Sequence, residues 1–170
     1  MTGSGTANDP YIIWNVTDLQ NVKNDLTAYY ELAIDIDATA TSGWNGNLGF
    51  LPIGLWVNWG AVIPPSPYVL SGGVYWKQTP FTGHFDGKNY GISDLFIHRT
   101  KTEAPTTTFP DYFDIGLFGH LGGDCTIQNV RLIDCNIEGY DCVGALWGYA
   151  ESGATVKDCY STGTVETEIL

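Results

Sequence analysis

Between Leu32 and Asp37 the chain alternates: Leu32, Ile34 and Ile36 fall on one side, Ala33, Asp35 and Asp37 on the other. That period of two predicts a strand. Another short strand is predicted at 10–14, "PYIIW". Between them, "TDLQNVKNDL" places Leu19, Val22 and Leu26 on one helical face. Thr17 followed by Gln20 reads as a capping box, so a short helix is expected to start there. Beyond residue 38 no helical period recurs, and Gly, Pro, Asn and Asp punctuate the chain. The domain is therefore expected to be mostly β.

Three stretches align without gaps: "ISDLFI" (92–97), "IQNVRL" (127–132) and "VKDCYS" (156–161), offset by 35 and 29 residues. Each has Asp or Asn at its third place, namely Asp94, Asn129 and Asp158. Ile127 to Val130 is three residues and Val130 to Leu132 is two, which a straight strand does not allow. A bend at Asn129 returns both to one side, and Asn or Asp enters the left-handed region at such a corner most readily after Gly. Strand, corner, strand, repeated at this period, predicts a parallel β-solenoid whose rungs bury each other's apolar faces. Leu95, Ile97, Val130, Leu132 and Cys159 are then inward, and Phe96, Arg131 and Tyr160 outward. The glycine-rich run "DIGLFG" (114–119) has a twin, "CVGALWG" (142–148), with Ile115, Leu117 and Phe118 matching Val143, Leu146 and Trp147. Neither copy fits a phosphate-binding glycine loop; both read as tight turns beside core residues.

Residues 39–80 differ in texture. Trp44, Trp56, Trp59, Tyr75 and Trp76 lie among Pro52, Pro64, Pro65, Pro67 and Pro80. Prolines that dense exclude a central strand. The segment is expected to be an elaborated loop packed by its own aromatics or presenting them to a partner or a glycan. A second insertion is expected at 99–113. The chain thus reads as one domain, 1–170, with a strand–helix cap at 1–38, the aromatic insertion at 39–80 and stacked rungs over 81–170.

Charge narrows the partners. The formal net charge is -12, and Arg99 and Arg131 are the only arginines. Such a surface repels nucleic acid and acidic lipid. No apolar run reaches the roughly 18 residues of a membrane span, and Met1 leads into "TGSGTANDP" without a signal-peptide pattern. Cys125, Cys135, Cys142 and Cys159 show no C-x-x-C spacing; disulfides are one reading and buried free thiols the other. Asn15-Val16-Thr17 is an N-glycosylation sequon. His84, His98 and His120 are scattered, and no catalytic, metal or cofactor constellation can be assembled from the chain. Asp35 and Asp37, two apart on one face, could take a cation but read more simply as solvated.

"CVGALWGYAESGATVKDCYSTGTV" (142–165) resembles the GLUG repeat of bacterial and archaeal surface proteins, although Cys142 and Trp147 replace the usual aromatic and Val. Residues 81–97 resemble the rung that precedes such repeats, and 3–37 their N-terminal segment. The resemblance implies an all-β, right-handed parallel β-helix with a short N-terminal helix, exported to the cell surface. GLUG modules occur in adhesin-like proteins and beside catalytic domains, and the repeat carries no known chemistry. The expectation is a non-enzymatic structural or adhesive module without cofactor. It would self-associate through the solenoid ends or the aromatic loop into a fibre, sheath or layer. A carbohydrate-binding module, with surface glycans as partners, is the alternative, and a polysaccharide-active enzyme a more distant one.

Overall fold

The computed structural model describes residues 1–55, 79–100 and 113–168 in full, and the backbone of the strands at 56–60, 69–71 and 74–78. Its main body is a set of parallel ladders through which the chain passes repeatedly. The first contains β1 (Tyr11–Ile13), β2 (Tyr29–Leu32), β7 (His84–Asp86), β12 (Thr126–Gln128) and β16 (Thr155–Lys157), stacked in chain order. The register aligns Tyr30, Phe85, Ile127 and Val156 on the inner side, and Tyr29, His84, Thr126 and Thr155 on the outer. The second ladder runs β3 (Ile36–Asp37), β8 (Gly91–Ser93), β13 (Arg131–Gly139) and β17 (Tyr160–Thr167), with β9 (Phe96–Arg99) on the far half of β13. A third side pairs β10 (Phe113–Ile115) with β14 (Asp141–Val143), and β11 (Phe118–Leu121) with β15 (Trp147–Ala150). Ile115 pairs with Val143 and Phe118 with Trp147, the correspondence read from the two glycine-rich runs.

Left-handed residues make the corners. Asn129 (φ 54°) and Asp158 (φ 54°) bend adjacent coils at one corner, and the Asn89 N–H (Asn89 φ 63°) donates to the Asn129 carbonyl. Asp94 (φ 56°) and Asp134 (φ 52°) turn the next corner, where the last coil uses Gly163 (φ 115°). Asp114 (φ 56°) and Cys142 (φ 50°) turn the third side. Side chains that tolerate this region without Gly's entropic cost are Asn and Asp. Inside the corners, Tyr30, Phe81, Phe85 and Phe118 form an aromatic cluster with centroids 5.1–6.4 Å apart. Each ring is at most 2 % exposed, and burial of each stabilises by about 1.5–3 kcal/mol.

The alternation over 32–37 does not form one strand: β2 ends at Leu32, β3 begins at Ile36, and Ile34 between them is exposed. Four further expectations change. First, the gapless alignment is correct between the last two coils, where Ile127 pairs with Val156, but wrong for the first copy. Ile92 pairs with Leu132, and Phe85 with Ile127. The middle coil holds two Asx-type corners five residues apart, Asn129 and Asp134, both in an apolar-x-Asx-apolar context, so the pattern permits either match; backbone pairing permits one. Second, the helix α1 (Val16–Asn21) is capped by Asn15, whose Oδ1 accepts the Asp18 N–H at 2.9 Å, not by Thr17. Gln20 instead bridges to Leu51, accepting its N–H and donating to its carbonyl, both at 2.8 Å.

Third, residues 1–38 are more than a cap, because β1, β2 and β3 already belong to the ladders. Fourth, 39–80 is not wholly an insertion. Phe50 and Ile53 are fully buried, and Ile53 bridges Phe118 in parallel. A 3₁₀ segment at Thr39–Asn47 precedes them. After them, β4 (Trp56–Gly60), β6 (Val74–Gln78) and β5 (Val69–Ser71) form an antiparallel sheet in that order.

Candidate functional site

The two ends of the stack differ. At the start, Ile12 of β1 donates to the Thr2 carbonyl at 2.8 Å in an antiparallel bridge, and Leu19 and Val22 of the first helical turns are fully buried. That edge is covered. At the other end, every residue of β17 is exposed. Ile137 of β13 is 0 % exposed, while Val165, its register partner one coil on, is 42 % exposed. Trp147, Tyr149 and Tyr160 are also exposed on this last coil. Among the described residues, β16 and β17 have a ladder partner on one side only, so their other edge offers unpaired N–H and C=O groups.

His120 lies beneath this coil. It is 1 % exposed, with Nδ1 3.7 Å from Asp114 Oδ2 and Nε2 3.2 Å from Glu151 Oε1. The Tyr149 ring centroid is 4.8 Å from the imidazole, and Glu151 Oε2 accepts the Gly123 N–H at 3.1 Å. Asp114 and Glu151 are 6 and 31 residues from His120 along the chain, so no short motif marks the group. The register of β11 on β15, which sets His120 against Tyr149, supplies the missing information. Cys142 is close enough to Asp114 to feel its charge, which disfavours its thiolate. Partial desolvation, with Asp141 and Asp114 beside it, pushes its thiol up to about 11, and the reactive species is the thiolate. The group can lock adjacent coils together with charge-assisted hydrogen bonds.

The cysteines stay apart. Cys125, Cys135, Cys142 and Cys159 are all free thiols. Cys135 is opposite Gly163 in the ladder, and the Cys159 sulfur accepts the Val130 N–H at 3.4 Å. Their unequal spacings leave each beside a different residue one coil away, so the disulfide reading is not realised. Burial raises the thiols of Cys125, Cys135 and Cys159 as well.

The expected contact aromatics divide. Trp44 is half-buried, stacked on Phe50 at 6.5 Å, and packs against the core. Trp56, Trp59, Tyr75 and Trp76 belong to β4 and β6, but their side chains lie outside the described residues. Asn15 is exposed and acts as the helix cap. Asp35 and Asp37 are used locally: Asp35 Oδ1 accepts the Gly91 N–H at 2.8 Å, and Asp37 Oδ1 accepts the Thr39 hydroxyl and N–H. Among the described residues no three His, Cys, Asp or Glu side chains are grouped to hold a metal. No helix there is long and apolar enough to cross a membrane.

Known proteins resemble this chain in sequence and in fold. The GLUG motif matches residues 139–166, which span β14 to β17. Halomucin of Haloquadratum walsbyi is 34% identical over 167 residues, 96% of this chain but 2% of halomucin. A candidate Gly-rich membrane protein of Evansella cellulosilytica is 32% identical over 151 residues, 86% of this chain and 14% of that protein. The chain therefore spans a small fraction of the relatives it matches. A crystal structure of a candidate immunoglobulin A1 protease from Bacteroides ovatus superposes with a TM-score of 0.58 and 18% identity, over 96% of this chain and 40% of that one. At that identity the likeness concerns the fold alone. The chain carries a GLUG motif at residues 139–166 and is similar to a small part of halomucin over nearly its own whole length.

Proposed function

We propose that the chain is a non-enzymatic structural module of a cell-surface protein, a right-handed parallel β-helix whose exposed last coil docks on a second copy of itself. The contrast between Ile137 and Val165 carries this reading: one position of the same ladder is sealed on one coil and open on the next. An unpaired parallel edge that also exposes Tyr160 and Val165 is a template for another strand. The relatives named halomucin and a Gly-rich membrane protein support a surface setting. Two copies that meet through this coil about a two-fold axis form a dimer. A fibre or sheath would need a further contact, for which the aromatic segment 56–78 is the candidate.

Sedimentation velocity across a wide concentration range tests this. A monomer–dimer equilibrium is expected, abolished by Val165→Lys, which places a charge on the exposed coil, and by Val165→Pro, which removes an N–H donor from the open edge. A wild-type chain that stays monomeric up to about millimolar concentration, where even weak pairing registers, overturns the proposal.

A further inference from the structure

The outer face of the first ladder holds a cleft. It is about 160 Å³ in volume and lies across β2, β7 and β12, with Ala7 and Pro10 of the N-terminal segment as one wall. Two rows of side chains cross its floor. In one, Tyr29, His84 and Thr126 occupy the same register position on successive coils; in the other, Glu31, Asp86 and Gln128 do. The Tyr29 and His84 rings are stacked, with centroids 4.2 Å apart and planes 12° from parallel. They form one flat aromatic surface beside a polar row.

The polar row is already charge-compensated. Asp86 accepts from Gln128 Nε2, Asn129 Nδ2 and the Lys88 N–H, each at 2.8 Å. Glu31 Oε2 is 3.4 Å from Lys88 Nζ. These contacts leave oxygen lone pairs for hydroxyl donors while reducing the field a bare cation would seek. A formal net charge of -12 disfavours an anion. A flat aromatic face beside neutralised acceptors and an amide matches a polyhydroxylated ring, whose C–H faces are apolar and whose rim donates and accepts hydrogen bonds.

We infer that this cleft binds a neutral saccharide, with one sugar ring seated on the Tyr29–His84 surface and its hydroxyls read by Glu31, Asp86, Thr126 and Gln128. The site requires no self-association.

Saturation-transfer NMR and titration with neutral hexasaccharides (malto-, cello-, manno- and chito-oligomers), alongside hexagalacturonate, test the assignment. At least one neutral oligomer should bind and hexagalacturonate should not. Tyr29→Ala and Gln128→Ala should each weaken binding by about tenfold or more, the loss expected for one stacking or hydrogen-bonding group. Tyr29→Phe keeps the ring and should retain most of the affinity, which separates a lost contact from a lost fold. Thermal melting of each variant gives the same control. The inference is overturned if no neutral oligomer binds at about 10 mM, a concentration that detects even fragment-like affinity. It is equally overturned if hexagalacturonate binds best, or if Trp59→Ala abolishes binding while Tyr29→Ala leaves it intact.

Discussion

His120 Nε2 lies 3.2 Å from Glu151 Oε1, so a fully enclosed imidazole on β11 is held by a half-exposed carboxylate that follows β15. The two ends of this contact should respond unequally to truncation. His120→Ala opens a cavity and strips a partner from buried Asp114, and is expected to destabilise by about 2–3 kcal/mol. Glu151→Ala loses a contact that water can replace and should cost about 1 kcal/mol or less. Urea unfolding of both variants checks this, and equal losses would contradict it.

The corners predict a residue-type rule. Asp134 and Cys142 both adopt left-handed backbone, at φ 52° and φ 50°, but only Asp suits that region. Asp134→Ala should destabilise by about 1 kcal/mol and Asp134→Asn should be near neutral. Cys142→Asn should stabilise by about 0.5–1 kcal/mol. Thermal unfolding midpoints of the three variants read the order directly.

Glycine substitution separates conformational from steric demand. At Gly46 (φ +69°) an added Cβ meets nothing within 4 Å, whereas at Gly148 it would sit 2.4 Å from the Asp114 carbonyl carbon. Gly46→Ala should cost about 1 kcal/mol, from backbone strain alone. Gly148→Ala forces β15 away from β10 and should cost about 3 kcal/mol or more. Comparable unfolding curves for the two would refute the close approach of these coils.

Asp86 predicts a pH dependence. Burial pushes its carboxyl up, but hydrogen bonds from Asn129, the Lys88 N–H and Gln128, with the Lys88 charge, outweigh that, and the folded value is lowered. A lowered folded pKa means the stabilisation is complete above the unfolded value, about 3.9, and is lost as pH falls through the folded one. The stability gap between wild type and Asp86→Asn should therefore hold from pH 7 to about 5 and narrow below about 4. A gap that widens on acidification would reverse the sign.

Thiol chemistry offers a further check. Cys142 is exposed, yet its thiol is pushed up to about 11. Iodoacetamide should modify it slowly near pH 7.5 and increasingly fast as the pH approaches 11, while buried Cys125 and Cys135 stay protected in the folded chain. Mass spectrometry of quenched samples follows each site. Fast labelling of Cys142 at pH 7.5 would place its thiol much lower.

Much of this architecture is readable locally. Ile115, Leu117 and Phe118 were expected in the core beside their twin run, and they are fully buried. Asn129 and Asp158 were expected at corners, and both are left-handed. Such features depend on a few neighbouring residues, because backbone sterics and alternation act at short range. The misassigned first copy has a local cause too: Asn129 and Asp134 look alike to a pattern that cannot see which strand lies above.

Sequence alone established a mostly β chain with Asx corners, a buried apolar side and an acidic surface, since residue type governs local dihedrals and hydration. Tertiary structure decided which corner stacks on which, when β8 chose Leu132 over Ile127 as neighbour to Ile92. It also brought His120 to Glu151 and Tyr29 onto His84. These pairs are 31 and 55 residues apart along the chain, and it is the shared ladder register, a property of the whole stack, that brings each pair within a few ångströms.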